Sequence, residues 1–144
     1  MKTFIPFCLE PKQKIWYLID AKNKTLGRLS TEISYLLQGK NKVSFNNSTD
    51  VGNFVVIINS NRIIVSGNKE KQKLYYKHSG RPGGMKIETF KNLKNKKSEL
   101  ILEKSIRKML PKTSLGRVMF TRLKIFKNSQ INSKIKNIKL FKYE

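Results

Sequence analysis

The chain has 144 residues, and 31 Lys and Arg residues against 9 Asp and Glu give it a net charge of +22 at pH 7. A chain of this length buries a hydrophobic core without disulfides, and its single cysteine, Cys8, excludes an intramolecular disulfide and a multi-cysteine zinc site. The longest apolar run, FVVII at 54–58, is far shorter than the roughly 20 residues that cross a bilayer, which excludes a transmembrane helix.

The first part of the chain predicts a parallel βαβ unit. The run IWYLIDA at 15–21 is typical of a strand that is buried on both faces. A helix follows, with Thr25 as its cap and Gly39 at its end. Its apolar positions recur at helical spacing and are Leu26, Leu29, Ile33, Leu36 and Leu37. A polar connection then leads to a second buried strand at 54–58, and two strands joined in this way form a right-handed parallel unit.

The rest of the chain predicts shorter elements and a glycine-rich loop. In chain order they are a strand at 63–65, a basic turn at 69–73, a strand at 74–76, a loop at 78–84, a helix marked by apolar positions 102–110 and ended by Pro111, a helix over 115–123 and a strand at 124–126. We therefore predict one α/β domain over residues 15–126, between an N-terminal arm at 1–14 and a basic C-terminal tail at 127–144.

Charge is concentrated in the second part of the chain and indicates the kind of partner. Residues 1–60 carry 8 basic and 4 acidic side chains, whereas residues 61–144 carry 23 basic and 5 acidic ones. Such a charge favours a polyanionic binding partner, which would neutralise it. Nucleic acid is favoured over a membrane surface, because the most basic stretches, such as residues 91–97, lack the bulky apolar face of a membrane-binding helix.

An enzymatic function is disfavoured by the motifs. Neither glycine-rich phosphate-binding motif is present, the only histidine is His78, and no two carboxylates obviously converge. Two S-x-x-K matches, Ser66 to Lys69 and Ser105 to Lys108, lack the companion motifs of serine chemistry. We interpret Asp50 with Gly52 as a turn. The sequence therefore predicts no catalysis, no cofactor, no metal site and no small-molecule substrate.

Residues 69–84 give the clearest signal for RNA binding, because cations alternate with aromatic rings and glycines. The side chains that can reach phosphates are Lys69, Lys71, Lys73, Lys77 and Arg81. Those that can stack or hydrogen-bond are Tyr75, Tyr76 and His78. Gly83 and Gly84 lack a Cβ, so their backbone can approach another chain closely. The alternative is a solvated lysine face with half-buried tyrosines.

A second basic set surrounds Pro111. Its members are Arg107, Lys108, Lys112, Arg117, Arg122 and Lys124. They are candidates for RNA contact, but those near a helix end also stabilise the helix dipole, so both interpretations stay open. Lys40, Lys42 and Lys86 complete the candidate RNA-binding residues.

Several of these stretches together resemble one protein family. They are WYLIDA at 16–21, KTLGRLST at 24–31, FVVIINS at 54–60, SGNK at 66–69 and MLPKTSLGRVMFTRL at 109–123. In this order they resemble the bacterial-type large-subunit ribosomal protein L-thirteen family over residues 1–126. The stretch HSGRPGGMKIETF at 78–90 is similar to the cyanobacterial and plastid branch. Asn47 and Ser48 replace the family's Pro-His, Asn53 replaces its second turn Asp, and residues 127–144 replace its usual C-terminal segment.

The resemblance implies a three-layer α/β/α fold around a small, mostly parallel sheet, without enzymatic activity. It also implies binding to large-subunit ribosomal RNA during early assembly, beside neighbouring large-subunit ribosomal proteins. Residues 1–14 lack a secretory or transit signal, and 25 Lys and 15 Ile with a single Ala are typical of A+T-rich coding. We therefore expect a plastid ribosome in the chloroplast stroma, or else a bacterial cytoplasm. The rival functions are a DNA-compacting architectural protein and a nucleotide-binding enzyme.

Overall fold

Four parallel strands form the central sheet of the computed structural model, which describes residues 14–130 and 138–141. The strands are β1 (Trp16–Asp20), β2 (Phe54–Ile58), β5 (Leu123–Ile125) and β6 (Ile138–Leu140). Their order across the sheet is β5, β2, β1, β6. The central pair runs in register from Trp16 opposite Phe54 to Asp20 opposite Ile58. The predicted α/β fold and its parallel βαβ unit are confirmed.

The helices and a hairpin complete the described fold. The helices are α1 (Leu26–Gln38), α2 (Lys69–Gln72), α3 (Phe90–Met109) and α4 (Ser114–Thr121), with a short 3-10 turn at Ser60–Arg62. The strands β3 (Leu74–His78) and β4 (Met85–Thr89) pair antiparallel as a separate hairpin. Gly39 ends α1 as predicted, with a φ of +78° and its N–H directed at the carbonyls of Leu36 and Tyr35.

The core lies between one face of the sheet and the helices. Because strand side chains alternate, Ile19, Val55 and Ile57 share a face and pack with buried residues of α1 and α3. The opposite face carries Trp16 and Phe54, whose rings stack with centroids 4.3 Å apart. The connection from β5 to β6 includes residues 131–137, which lie outside the described residues, and the third layer of the α/β/α arrangement stays a prediction.

Several predictions for the second part of the chain were wrong. The predicted strand at 63–65 is a single bridge between Thr25 and Ile64, and the basic turn at 69–73 is the short helix α2. Strand β4 was not predicted. Helix α3 starts at Phe90, with Thr89 accepting a hydrogen bond from the Asn92 N–H, well before the predicted segment. Its helical geometry is interrupted at Lys97, with a φ of −147° and a ψ of 81°, and the part before this kink is rich in Lys and Asn, so the apolar period is visible only in the part after it.

The predicted tail also contributes to the fold. Ile138–Leu140 pairs with β1 in parallel, so Trp16 lies opposite Ile138 and Leu18 opposite Leu140. The predicted arm at 1–14 lies outside the described residues except for Lys14. Three residues form too short a run to show a strand period, which explains why the sequence pattern missed β6.

Candidate nucleic-acid interface

The β3–β4 hairpin presents one exposed face of aromatic and apolar side chains. Tyr76 pairs with Ile87 and His78 with Met85 across the two strands. Tyr76 is 61% exposed and Ile87 56% exposed. The His78 ring accepts a hydrogen bond on Nδ1 from the Gly80 N–H at 2.9 Å, which orients it at the loop. Tyr76 and His78 are therefore exposed, and their stacking on RNA bases stays a prediction.

Tyr75 points to the other face of the hairpin and is already in contact on several sides. Its ring lies 6.4 Å from that of the buried Phe90, and the ammonium groups of Lys73 and Lys104 lie 5.5 and 5.1 Å from its centroid. Burial raises the pKa of the Tyr75 hydroxyl. Tyr75 thus joins the hairpin to α3, as the half-buried alternative predicted, and presents little free ring surface.

A basic groove runs between this face of the hairpin and α3. It has a volume of about 540 Å³, with Tyr75, Leu93 and Leu100 among its walls. Its lysines come from both elements and are Lys77, Lys86, Lys96, Lys97 and Lys104. Glu88 forms an exposed pair with Lys96 at 3.6 Å. The three lysines of α3 were not among the predicted site residues. Lys96 and Lys97 lie in the part of α3 that was not recognised, and Lys104 lies in the predicted helix but was not singled out.

The two glycines of the loop between β3 and β4 have different structural roles. A Cβ on Gly84 would collide with the Ser79 hydroxyl and lie 2.9 Å from the Arg81 carbonyl oxygen, so the packing of the loop itself requires glycine. Gly83 has a φ of +71° and open space around it. Only Gly83 therefore has a backbone free for close approach, whereas the sequence predicted this for both. Arg81 is exposed beside them.

The two predicted basic sets meet at one point of the structure. Lys69 and Lys73 flank α2, and Lys108 lies in the last turn of α3. Much of the Lys73 side chain is exposed, yet its pKa lies below the ordinary lysine value, first because of partial burial and then because Lys69 and Lys108 repel it. Three cations, two from α2 and its C-terminal cap and one from the end of α3, therefore lie near one another at this surface.

The remaining cations of the second set are dispersed. Arg107, Lys112 and Arg117 line a hollow of about 490 Å³, and the Arg107 guanidinium lies 4.4 Å from the Phe120 ring centroid. Lys124 lies over Trp16, on the opposite face of the sheet, with 5.6 Å between its Nζ and the ring centroid. The structure therefore does not bring Lys124 together with the other candidates. Lys71 is exposed on α2.

Arg122 is inside the fold, which corrects its assignment as an RNA-binding candidate. Its side chain is only 5% exposed, and one Nη lies 2.6 Å from an Asp50 carboxylate oxygen. The guanidinium also donates to the carbonyls of Gly52 and Leu37, at 2.8 and 3.3 Å. Its charge is used to hold the connection after α1 against β5, so we exclude Arg122 from the interface.

Asp50 is the acidic centre of this buried cluster. It also accepts a hydrogen bond from the Lys14 ammonium at 2.7 Å. Burial alone would raise the pKa of Asp50, but the hydrogen bond from Lys14 and the charge of Arg122 outweigh it and hold that pKa below its ordinary value. The interpretation of Asp50 as a mere turn residue therefore missed its ion pairs, because the partners are far away in the sequence.

Lys40 and Lys42 follow α1 and differ in availability. Lys42 donates to the Val51 carbonyl at 2.7 Å, and its pKa is lowered by burial and then by the nearby Lys14 and Arg122. Lys40 is exposed, with its Nζ 5.9 Å from the Phe45 ring centroid. Lys40 can therefore reach a partner, whereas Lys42 is engaged within the fold.

Within residues 14–130 and 138–141, no group of three or more His, Cys, Asp and Glu side chains could hold a metal ion. None of the helices in these ranges is both long enough and apolar enough to cross a membrane.

Comparison with known proteins identifies the family. The family model described as Ribosomal protein L13 matches residues 14–132. A protein named large ribosomal subunit protein uL13 from Synechococcus sp. (strain WH7803) is 53% identical over 129 residues, which cover 90% of this chain and 85% of the relative. Its namesake from Gloeothece citriformis (strain PCC 7424) is 51% identical over 128 residues, or 89% and 84% of the two chains. The resemblance seen in the sequence is thereby confirmed, and the chain belongs to the ribosomal protein L13 family, with cyanobacterial relatives.

Proposed function

We propose that this protein is a structural constituent of the large ribosomal subunit that binds large-subunit ribosomal RNA. The observation that carries the proposal is the clustering of mostly exposed cations on one part of the surface, where Lys69 and Lys73 line one cleft and Lys77, Lys86, Lys96, Lys97 and Lys104 line the groove beside the hairpin. Cations held against their mutual repulsion are stabilised by a polyanion, and counterion release then drives binding. The relatives support this function, since each is named as a large ribosomal subunit protein.

The proposed interface extends over the hairpin, α2, the end of α3 and the first part of α4. Phosphate contacts come from exposed side chains, namely Lys69, Lys71, Lys73, Lys77, Arg81, Lys86, Lys108, Lys112 and Arg117. Tyr76 and His78 supply the stacking surfaces, and Gly83 the close backbone approach. Lys40 forms an outlying contact. We propose that the same surface supports early subunit assembly and adjoins neighbouring large-subunit proteins.

RNA is a better partner than duplex DNA for this surface. An architectural DNA-binding protein presents an arm or a helix to a groove. Here the stacking residues lie on a hairpin, and the proposed phosphate-binding residues are spread over that hairpin, the short helix α2, the end of α3 and the region of α4. An irregular, folded RNA offers unstacked bases and close phosphates to such a surface. A catalytic role has no support from this geometry.

Three experiments test the proposed function. Native protein should sediment with the large subunit in a sucrose gradient, and a protein that remains entirely at the top would contradict the ribosomal role. Purified protein should bind large-subunit ribosomal RNA more tightly than duplex DNA at matched salt. Equal or tighter binding to the duplex would favour the architectural alternative. Thermal stabilisation by a nucleotide would favour an enzyme instead.

We propose further that the ribosome in question is that of a plastid. The similarity to cyanobacterial relatives and the lysine-rich, alanine-poor composition support this location. Immunodetection in the ribosome fraction of isolated plastids tests it. Detection only in the cytoplasm of a bacterium would contradict it.

A further inference from the structure

A second cleft lies where the start of α1 meets α2 and the last part of α3. It has a volume of about 480 Å³. Its polar lining includes Arg28 from α1, Ser66, Lys69 and Lys73 around α2, and Ser105 from α3. These residues come from three separate segments, so only the folded chain assembles them.

The lining is suited to an anion. Arg28, Lys69 and Lys73 bring three positive charges, and no carboxylate is among the described residues that line the cleft. The ion pairs of the described ranges are Lys14 with Asp50, Arg122 with Asp50 and Lys96 with Glu88, so these three cations are not neutralised there. Lys69 Nζ lies 3.4 Å from the Ser66 hydroxyl, which places a hydroxyl beside an ammonium group.

The start of α1 adds to the positive potential of the cleft. The Thr25 side chain makes no capping hydrogen bond. The first turn of α1 contains no acidic residue, and it carries a cation, Arg28. A cation at that end opposes the helix dipole, and an anion in the cleft would compensate both. Gly27 has open space where a side chain would be, so the backbone of this turn is accessible from the cleft.

We propose that this cleft binds a single phosphate group through Arg28, Lys69, Lys73 and the hydroxyls of Ser66 and Ser105. The inference rests on the proposed function in one respect, since it assigns the phosphate to the backbone of ribosomal RNA. A guanidinium, ammonium groups and hydroxyls form charge-assisted hydrogen bonds with any phosphate oxygen. Free phosphate shares this chemistry, and the experiment separates the two sources.

The first arm of the experiment uses inorganic phosphate and the full-length protein. The backbone amide signals of Gly27 and Arg28 are followed by ¹H–¹⁵N NMR while phosphate replaces chloride at constant ionic strength. We expect saturable shifts that are confined to the cleft. In Ser105→Asp a carboxylate repels the phosphate, so the shifts should disappear, whereas Asn47→Asp, which adds the same charge at an exposed position outside the cleft, should retain them. Shifts that are absent in the wild type, or equal in Ser105→Asp, would overturn the inference.

The second arm uses large-subunit ribosomal RNA. Arg28→Gln and Ser105→Asp should each weaken binding by about tenfold or more, as the loss of one charge-assisted contact does. Arg28→Gln should also make the slope of log K against log salt shallower by about one. The matched control is Lys91→Gln, which removes an equal charge from an exposed position outside the cleft and should change affinity much less. Melting temperatures show whether each variant folds.

The two arms distinguish failure of the cleft inference from failure of the proposed function. If the cleft variants bind ribosomal RNA as well as Lys91→Gln does, the cleft inference is overturned while RNA binding stands. If phosphate shifts the cleft amides but the wild type does not bind ribosomal RNA, the proposed function fails. The phosphate site then stands with free phosphate as its source.

Discussion

The Asp50 Oδ1 and the Arg122 Nη2 lie 2.6 Å apart, although the two residues come from opposite halves of the sequence. The pair connects the segment that precedes β2 to the residue that precedes β5, so it holds two neighbouring strands of the sheet in place. Arg122 occurs in the same basic stretch as Arg117 and Lys124, yet a single buried carboxylate gives it a structural role. Its position in the interior follows from its partner and not from its residue type.

Asp50→Asn should destabilise the fold by about 3 kcal/mol, because it removes the only carboxylate that Arg122 and Lys14 contact among the described ion pairs. Urea denaturation at pH 7 measures the loss. The control is Glu88→Gln, which breaks an exposed pair with Lys96 and should cost less than about 1 kcal/mol. Equal effects of the two substitutions would contradict a buried structural role for Asp50.

The same pair predicts a dependence of stability on pH. The pKa of Asp50 is lower in the folded protein than its ordinary value of 3.8. Its contribution is therefore complete above that value and is lost as the pH falls through the lower folded pKa. Urea denaturation at pH 7 and at pH 3 should show a larger loss in the wild type than in Asp50→Asn. An identical loss in both proteins would show that other carboxyls are responsible.

Arg81→Ala should weaken binding to ribosomal RNA while the melting temperature stays unchanged, because Arg81 is exposed in the hairpin loop. Arg81→Lys should restore only part of the affinity, since an ammonium group cannot form the paired hydrogen bonds of a guanidinium with phosphate. Filter binding and thermal denaturation give the two quantities. Full affinity in Arg81→Ala would remove the loop from the proposed interface.

Gly84→Ala should lower the melting temperature by a few degrees, because its Cβ would collide with the Ser79 hydroxyl and approach the Arg81 carbonyl oxygen. The double variant Ser79→Gly with Gly84→Ala should recover part of this loss, since it removes one of the two collisions. Thermal denaturation gives the melting temperatures of the wild type, Gly84→Ala and the double variant. A Gly84→Ala protein with an unchanged melting temperature would mean that the loop needs glycine only for its partner.

Affinity for ribosomal RNA should fall steeply with salt. Contacts from Arg28, Lys69 and Lys73 alone predict a slope of log K against log salt of about −2 or steeper. Binding measured between low and physiological salt gives the slope. Affinity that does not change over this range would contradict an electrostatic interface.

The sequence predicted the fold best where one kind of apolar pattern dominates a segment. β2 was predicted with its exact bounds, and α1 with its ending at Gly39, because continuous burial and helical spacing are local properties. The first half of α3 was missed, since Lys and Asn residues obscure its period. The site followed the same division: exposed cations such as Arg81 were found, whereas the contacts of Tyr75 and Arg122 depend on residues that only the fold brings near.

The position of β6 near the C-terminus has a consequence for the order in which parts of the fold are completed during synthesis. β1 is complete once residue 20 has been synthesised, but its outer edge has no pairing strand until Ile138–Leu140 has been synthesised. Every segment that lines the cleft or forms the hairpin lies between residues 25 and 109. Since chains emerge from the N-terminus, the surface proposed for RNA is complete while one edge of the sheet is still unpaired. The strand Ile138–Leu140 therefore pairs with the sheet after the elements of the proposed RNA interface have been synthesised.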